Sequence, residues 1–252
     1  MERQICVVKI SGHCLDDELL LRQFADRVAA STERLVIVHG GGKEISRLQQ
    51  QLNIAPRYVD GLRVTDADSL ALVEMVLCGA VNKRLVRHLL AAGVDAQGLS
   101  GVDRGLVQAR KLQHDSIDMA YTGEVESVRP EVICDLFELG VTPVIAPVSL
   151  GADNNFNLNA DPVTSAIAQA ISAHTVVFIS NVAGVLVDGT VKPTINSAQA
   201  QAYIDSGVIA GGMIPKTQAA LDLLSAGIPQ AVITDLEGWR NNGGTTFIGT
   251  KR

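Results

Sequence analysis

Three consecutive glycines stand where a strand-like segment of this sequence meets a helix-like one. Residues 35–38 are apolar, His39 follows them, and Gly40, Gly41 and Gly42 precede a helical pattern. A glycine run at such a junction brings backbone N–H groups close to an anion. Two glycines are enough for a tight turn, so the third favours a bound ligand over a turn without one. The stretch fits neither a Walker A loop nor the dinucleotide fingerprint, which leaves the identity of the anion open.

Two lysines and one carboxylate stand at comparable positions. Lys9 ends the first strand-like segment before Gly12, Lys216 follows a glycine pair, and Asp161 belongs to the stretch NLNADP at 157–162. Ligands of open α/β sheets bind beyond the carboxyl ends of the strands. A surface lysine and a helix cap are the structural alternatives for Lys9 and for 157–162. Taken together, these residues are typical of phosphoryl transfer, which requires charge neutralisation and in-line positioning.

Composition and charge narrow the class of protein. Only 4% of the 252 residues are aromatic and 47% are hydrophobic, which predicts an aliphatic core suited to a buried parallel sheet. The formal charge of −6 argues against a nucleic-acid surface. No signal peptide or membrane-spanning run is recognisable. Cys6, Cys14, Cys78 and Cys134 lack metal-ligand spacing and are expected to be free thiols. We therefore expect a cytoplasmic protein with no nucleic-acid or membrane partner and no protein-held metal.

Short apolar segments alternate with helical patterns along the chain. Strands are predicted at 5–10, 35–38, 95–99, 105–110, 141–147, 175–180 and 230–234, with a hairpin at 121–128. Helices are predicted over 16–30, 43–52, 66–90, 131–140, 159–171, 197–207 and 213–227, the third after a capping-box pattern at Thr65 and Asp68. This alternation predicts an α/β fold with a mainly parallel sheet. We place the division between two lobes that share this sheet at residues 172–174, giving 1–172 and 173–252.

Nine segments resemble the amino acid kinase family in their order along the chain. They are VKISG, VIVHGGGKEI, GLRVTD, EMVLCGAVNKRLV, GLSGVDRGL, PVIAPV, NLNADP, ISNVAGVL and GGMIPK, and together they cover essentially the whole sequence. The resemblance implies a three-layer α/β sandwich with a mainly parallel central sheet. It also implies phosphorylation of the side-chain carboxylate of N-acetyl-L-glutamate by ATP, in arginine biosynthesis, with Mg²⁺ held mainly by the nucleotide phosphates.

The resemblance also implies roles for individual residues. Lys9 matches the lysine that stabilises the transferring phosphoryl group, and Lys216 matches the lysine that neutralises the leaving β–γ bridge. Asp161 matches the carboxylate that holds both lysines in place. An anion between two cations keeps both protonated. Gly41 and Gly42 match the backbone donors that meet the reacting groups.

Further matches divide the chain between acceptor and nucleotide. Arg63 and Asn157 match the residues that clamp the α-carboxylate of the substrate, a task suited to the planar fork of arginine. The nucleotide contacts implied are Gly12, Asn181, Val182, Ala183, Gly184, Val185, Leu186, Val208, Ile209 and Ala210. We assign acyl-amino-acid binding and dimerisation to 1–172 and ATP binding to 173–252. No general base is required, because the acceptor carboxylate is ionised near neutral pH.

The sequence departs from the family pattern at three positions. Ser11 and His13 surround Gly12 where the family commonly has two glycines after the lysine, so that Ser11 narrows the loop or adds a hydroxyl donor. Asn181 replaces a common aspartate, which leaves the ribose contacts open. Arginine-inhibited members carry a helix before the first strand, and this sequence has no such segment. We expect an arginine-insensitive homodimer, with the helix at 66–90 either at the interface or in the core.

Three other functions are alternatives to the phosphorylation of N-acetyl-L-glutamate. A related kinase of α-aminoadipate, carrier-linked or N-acetylated, shares EMV, NKRLV and YTGEVESV, whereas GLRVTD and NLNAD favour acetylglutamate. A catalytically silent nucleotide-binding regulator should have lost Lys9, Asp161 or Lys216, and all three are present. A dinucleotide-dependent dehydrogenase is disfavoured by the missing fingerprint.

Overall fold

Sixteen strands and ten α-helices make up the described part of the chain. The structure, a computed structural model, describes residues 3–249 apart from the side chain of His13. The strands are β1 (Ile5–Ile10), β2 (Arg34–His39), β3 (Arg57–Val59), β4 (Leu62–Val64), β5 (Ala96–Ser100), β6 (Val107–Lys111), β7 (Thr122–Val128), β8 (Thr142–Ala146), β9 (Val148–Leu150), β10 (Asn155–Leu158), β11 (Thr175–Ile179), β12 (Leu186–Val187), β13 (Thr190–Val191), β14 (Thr194–Asn196), β15 (Gln230–Thr234) and β16 (Thr245–Ile248). The α-helices are α1 (Gly12–Leu15), α2 (Glu18–Ala29), α3 (Gly42–Gln51), α4 (Ala67–Glu74), α5 (Asn82–Ala91), α6 (Glu131–Glu138), α7 (Ala160–Ala170), α8 (Ser197–Asp205), α9 (Met213–Ser225) and α10 (Leu236–Arg240).

Eight of the strands form one sheet in the order β14-β16-β15-β11-β1-β2-β8-β5. Every neighbouring pair in it is parallel except β15 with β16. Four strands come from residues 1–172 and four from 173–252, so both parts of the chain share one continuous sheet. The predicted α/β fold with a mainly parallel sheet is confirmed.

Hydrophobic cores lie on both faces of this sheet. Along β1, Val7 joins the core beneath α6, α7, α8 and α9, whereas Val8 joins the core beneath α2, α3, α5 and α10. Both valines are fully buried. A strand buried on both faces reads as a continuous apolar run, which is why ICVVKI and LVIV were recognisable in the sequence. The molecule has the predicted three layers, with helices on either side of the sheet.

A second, four-stranded sheet closes on itself beside the main one, in the order β10-β7-β6-β9. The prediction of a hairpin within 121–128 is wrong, because β7 is a single strand that pairs antiparallel with β6. Gly123 lies inside β7, where an added Cβ would come 2.6 Å from Phe156 Cβ. Glycine serves close packing there and not chain reversal.

One continuous helix runs from Ala67 to Ala91, as predicted for 66–90. A π-helical segment, Met75–Val81, joins α4 to α5. The residue that caps the helix is Asp66, whose side chain accepts from the Ser69 N–H at 2.8 Å, and not Thr65 as predicted. Thr65 is buried and contributes to the candidate site. Within residues 3–249, every helix is too short or too polar to cross a membrane.

Candidate active site

Three adjacent parallel strands, β2, β1 and β11, end at one edge of the sheet. Backbone hydrogen bonds tie the loops that follow them together: the Ser11 N–H donates to the Ile179 carbonyl and the Gly40 N–H donates to the Ile10 carbonyl, both at 3.2 Å. The glycine loop, the Ser11–Gly12 turn and the segment that begins at Asn181 therefore meet at the carboxyl ends of the strands. This is the position where ligands bind in open α/β sheets.

The glycine loop presents backbone donors instead of side chains. Gly41 stands at the N-cap of α3 and provides no side-chain cap, so the first N–H groups of the helix stay available to a ligand. A Cβ on Gly41 would lie 2.5 Å from Leu77 Cδ2, in the π-helical segment. A Cβ on Gly42 would meet no described atom within 4 Å, and one on Gly12 would lie 3.8 Å from Gly41. Packing therefore requires glycine at position 41, and position 42 faces open space.

His39 holds the start of this loop from beneath. It is fully buried, its Nδ1 lies 2.8 Å from the Gly40 carbonyl, and its Nε2 lies 3.1 Å from Asn82 Nδ2. The carbonyl requires a proton on Nδ1, so Nε2 accepts from the asparagine amide. Burial lowers the pKa of His39 to about 4, and the ring is neutral near neutral pH. His39 supports the loop from below, and the side chain of Lys43 is exposed.

A cavity of about 290 Å³ opens beside the glycine loop. Six residues predicted for catalysis or binding line it, namely Lys9, Gly12, Gly41, Gly42, Arg63 and Asn157. Its apolar lining includes Ile45, Leu77 and Leu158. The cavity thus combines a lysine, an arginine and backbone donors with aliphatic walls, as a small anion with an apolar portion requires.

Arg63 is a buried cation without an anionic partner. The residue is only 8% exposed, and its guanidinium donates to Tyr58 Oη at 2.6 Å, Ser46 Oγ at 2.8 Å, the Gly42 carbonyl at 3.2 Å and the Gln49 side-chain oxygen. All four acceptors are neutral, and no carboxylate of residues 3–249 reaches ion-pair distance from it. Burial lowers the pKa of Arg63 from its ordinary value, but a guanidinium keeps its proton in proteins. A ligand carboxylate would supply the missing charge.

Asn157 belongs to a buried hydrogen-bond network behind Arg63. Asn157 Nδ2 donates to Thr65 Oγ1 at 2.9 Å, and the Thr65 N–H donates to Thr122 Oγ1 at 3.1 Å. Thr122 Oγ1 in turn donates to the Arg63 carbonyl at 2.5 Å. The network ties β4, which carries Arg63, to β7 and β10, and it sets the spacing between the two residues predicted to clamp the substrate.

Lys9 and Asp161 form an ion pair of 2.8 Å at the edge of the cavity. Asp161 lies in the first turn of α7, which Asn159 caps by accepting from the Asp161 N–H at 3.0 Å. Lys9 Nζ also donates to Ser11 Oγ at 3.2 Å. The hydroxyl of Ser11 is thus an acceptor for the lysine, and the side chain of His13 lies outside the described part.

A larger cleft of about 1,080 Å³ is lined by residues of both α7 and α9. Asp161 and Lys216 both line it, but Lys216 Nζ donates only weakly, to the Gly212 carbonyl at 3.4 Å, and makes no ion pair with Asp161. The structure therefore joins Lys9 to Asp161 and leaves Lys216 facing the same cleft without contact to either.

The nucleotide segments divide into exposed and buried members. Asn181, Ala183, Leu186, Val208 and Ala210 are exposed, and Val182 is half-buried. Val185 and Ile209 instead pack in the core, and their N–H groups donate to Thr245 Oγ1 at 2.8 Å and to the Tyr203 carbonyl at 2.9 Å. Gly184 is also buried, and a Cβ on it would lie 2.7 Å from Thr245 Oγ1. The side chains of Val185 and Ile209 are therefore buried and do not reach the surface.

Sequence reasoning missed several residues that hold Arg63. Tyr58 faces Arg63 across the β3–β4 hairpin, whose Asp60-Gly61 turn is a recognisable hairpin signal. Gln49 follows Ile45 by four residues on the inward face of α3, so the helical period could have marked it as a buried polar residue.

The described side chains provide few ligands for a metal ion. Among residues 3–249 there is no group of three or more His, Cys, Asp or Glu side chains placed to hold one. The carboxylate of Asp161 is already paired with Lys9. These residues fit a cation that arrives on the phosphates of a nucleotide better than one held by the protein.

Comparison with known proteins places the chain among kinases. Residues 4–235 match the profile of the amino acid kinase family. The sequence is 49% identical over 247 residues to the acetylglutamate kinase of Roseiflexus sp. strain RS-1, covering 98% of this chain and 94% of that protein. It is 39% identical over 248 residues to the acetylglutamate kinase of Methanopyrus kandleri, covering 95% and 98%. The fold is similar to the crystal structure of smu.665 from Streptococcus mutans UA159, with a TM-score of 0.81, 33% identity and coverage of 97% and 98%.

Proposed function

Because this chain belongs to the amino acid kinase family, we propose that it transfers the γ-phosphoryl group of ATP to the side-chain carboxylate of N-acetyl-L-glutamate. The products are N-acetyl-L-glutamyl 5-phosphate and ADP, and the reaction is the second step of arginine biosynthesis. The observation that carries the proposal is the buried Arg63, which has no anionic partner in the described part of the chain and lies in one cavity with Lys9 and the glycine loop.

The acceptor binds in the cavity of about 290 Å³. Arg63 pairs with its α-carboxylate, because a planar guanidinium binds a carboxylate through two parallel hydrogen bonds. Asn157, held by Thr65, supplies the second polar contact. The side-chain carboxylate then points at the N–H groups of Gly41 and Gly42, where transfer takes place.

Transfer needs no proton to be removed from the acceptor. A carboxylate oxygen attacks the γ-phosphorus while the bond from that phosphorus to the β–γ bridging oxygen breaks, and ADP leaves with the bonding electron pair. Lys9 and the N–H groups of Gly41 and Gly42 face the charge that develops on the phosphoryl oxygens, and such preorganised donors lower the barrier. Lys216 neutralises the leaving oxygen from the far side of the cleft, and Asp161 orients Lys9.

ATP occupies the larger cleft and the edge beyond β11. Residues 1–172 bind the acyl amino acid and residues 173–252 bind ATP, with contacts from Gly12 and the exposed members of 181–186 and 208–210. Mg²⁺ held by the nucleotide phosphates would neutralise part of their charge. We place the reaction in the cytoplasm, where ATP is supplied, and we propose a homodimer.

A hydroxylamine trap for acyl phosphates tests this function. Purified protein is incubated with ATP, Mg²⁺ and either N-acetyl-L-glutamate or N-acetyl-α-aminoadipate, and the hydroxamate and ADP are measured. We expect hydroxamate and ADP in equal amounts with N-acetyl-L-glutamate. A clear preference for the aminoadipate derivative would change the substrate, and ATP binding without hydroxamate from either would identify a silent nucleotide-binding protein.

A further inference from the structure

Gln49 occupies an unusual place for a polar side chain. It lies in the last turn of α3, is 1% exposed, and accepts from the Arg63 guanidinium through Oε1. Its other end is occupied as well, since Nε2 donates to Ser69 Oγ at 2.9 Å. Arginine has only donors, so the oxygen of the amide must face it, and the orientation of the side chain is determined. Gln49 therefore links β4, which carries Arg63, to α4 and to the helix that begins with the glycine loop.

Neutrality distinguishes this contact from the ion pairs elsewhere in the molecule. A buried arginine is ordinarily held by a carboxylate, and even the half-buried Arg84 of α5 is held by Glu44 of α3 at 2.6 Å. Glutamate differs from glutamine by one atom and would form a stronger bond to Arg63. It would also cancel the positive charge of Arg63, and the pair would then no longer attract a substrate carboxylate.

We propose that Gln49 is a positioning residue that holds the Arg63 guanidinium with a neutral acceptor, so that its charge remains available to the substrate carboxylate. The inference rests on the proposed function, because it assigns Arg63 to that carboxylate. Gln49 does not touch the reacting atoms. It orients the guanidinium. Because its own side chain is neutral, the positive charge of Arg63 stays uncompensated until a substrate carboxylate binds.

Charge-changing variants of adjacent glutamines test this role. Gln49→Glu preserves the shape of the side chain and both hydrogen bonds, since the Ser69 hydroxyl can donate to a carboxylate. Gln50→Glu places the same charge one residue away, on the exposed side of α3, and is the matched control. Gln49→Met removes the contact to Arg63 without adding charge. For each variant, the KM for N-acetyl-L-glutamate, the KM for ATP, kcat and the melting temperature are measured.

We expect Gln49→Glu to raise the KM for N-acetyl-L-glutamate by roughly tenfold to a hundredfold, the range of a charged hydrogen bond. The KM for ATP and kcat should stay unchanged, and the melting temperature should not fall. Gln49→Met should raise the same KM by less, and Gln50→Glu should leave it unchanged. A residue that served packing alone would not combine an intact melting temperature with a weakened acceptor site.

Three results would overturn the role of Gln49 while leaving the proposed function intact. An active wild type with an unchanged KM in Gln49→Glu would show that the charge of the acceptor at Arg63 is irrelevant. Equal effects of Gln49→Glu and Gln50→Glu would show that any added negative charge on α3 weakens binding. A joint loss of melting temperature and ATP affinity in Gln49→Glu would show that Gln49 contributes only to packing. Wild-type protein that forms no acyl phosphate would contradict the proposed function itself, and this inference with it.

Discussion

At the scale of single residues, the site is organised by which charges are paired. Lys9 has a carboxylate partner in Asp161, whereas Arg63 and Lys216 have none among residues 3–249. Paired charges are held in place, and unpaired ones attract a ligand of opposite sign. The pattern agrees with Lys9 as a permanent part of the site and with Arg63 and Lys216 as contacts completed by the two substrates.

Replacing Lys9 by methionine should reduce kcat by about a hundredfold or more, because a transition-state contact to the phosphoryl oxygens is lost. Methionine keeps the unbranched stem, so packing is preserved. Lys43→Met is the control, since Lys43 follows the glycine loop directly but is exposed. Hydroxamate formation at saturating substrates measures kcat. A Lys9→Met enzyme with a kcat close to that of the wild type would remove Lys9 from the mechanism.

His39 should make stability depend on pH. Burial holds its pKa near 4 in the folded protein, compared with an ordinary value of 6.5. Between pH 4 and pH 6.5 the His39 ring is protonated in the unfolded chain but not in the folded protein. The free energy of unfolding therefore falls as the pH decreases from about 6.5 towards 4. The full loss is about 3 kcal/mol for a shift of this size. Denaturant unfolding of wild type and His39→Asn at several pH values should show a shallower decline for the variant. Parallel curves would mean that His39 is protonated in the folded state or exposed.

At the scale of elements, the π-helical segment and the glycine loop form one packed unit. Leu77 is nearly fully buried, and it fills the space that a side chain at position 41 would need. π-Helical turns inside α-helices are rare and frequently lie at functional sites. Here the segment brings Leu77 and Val81 against the loop and leaves Gly42 free on the cavity side.

Alanine substitutions at the two glycines should therefore have different effects. Gly41→Ala forces Leu77 to move, and overpacking of this kind costs about 1–3 kcal/mol of unfolding free energy. Gly42→Ala meets no described atom, so stability should be retained while its methyl group obstructs the substrate and lowers activity. Thermal unfolding and hydroxamate formation measured on both variants separate the effects. Equal destabilisation of the two would contradict the packing described for position 41.

Elements that are determined by neighbouring residues were easier to predict than those that depend on contacts between distant parts of the chain. The apolar runs of β1 and β2 and the long helix follow from neighbouring residues and were predicted, and a helix cap was considered within 157–162. The hairpin at 121–128 was predicted wrongly because the side chain that requires Gly123, Phe156, belongs to another strand. Thr65 and Asp66 both carry capping side chains, and only the tertiary network around Thr65 decides between them.

The residues of the site were predicted less evenly than the fold. Lys9 lines one cavity with the glycine loop, because adjacent parallel strands place their ends together, and it pairs with Asp161 of α7. The separation of Lys216 from Asp161 depends on how α7 and α9 are placed relative to each other, which no local pattern encodes. The neutral acceptors of Arg63 were missed because a single buried glutamine is conspicuous only when the helical period is followed to residue 49.

At the scale of the whole molecule, the protein is acidic overall, yet three of its cations line two adjoining cavities. The formal charge is −6, yet Lys9, Arg63 and Lys216 line two adjoining cavities that share Gly61, Leu62 and Asn159. Both proposed substrates are anions, so a local concentration of positive charge is necessary to bring them together.

The long helix should mediate a dimer. Met75 and Leu90 on it are 59% and 53% exposed, which is unusual for large apolar side chains in a helix that also packs against the core. Sedimentation velocity should show a dimer for the wild type and a monomer for a variant carrying Met75→Glu and Leu90→Glu. Leu139→Glu, at a residue that is 74% exposed on another element, is the control and should leave the dimer intact. A hexamer, or a double variant that still dimerises, would contradict the proposal.

The order of strands at the centre of the sheet has a consequence for how such an enzyme could change its substrate. β1 carries Lys9, with the glycine loop of β2 on one side and the nucleotide segment of β11 on the other. Neighbouring strands are about 4.8 Å apart, so phosphoryl donor and acceptor are assigned to opposite sides of one strand. Mutations in the β3–β4 hairpin and β10 can therefore alter the acceptor while the apparatus that handles ATP is inherited unchanged. The fold separates the evolution of acceptor choice from that of phosphoryl donation.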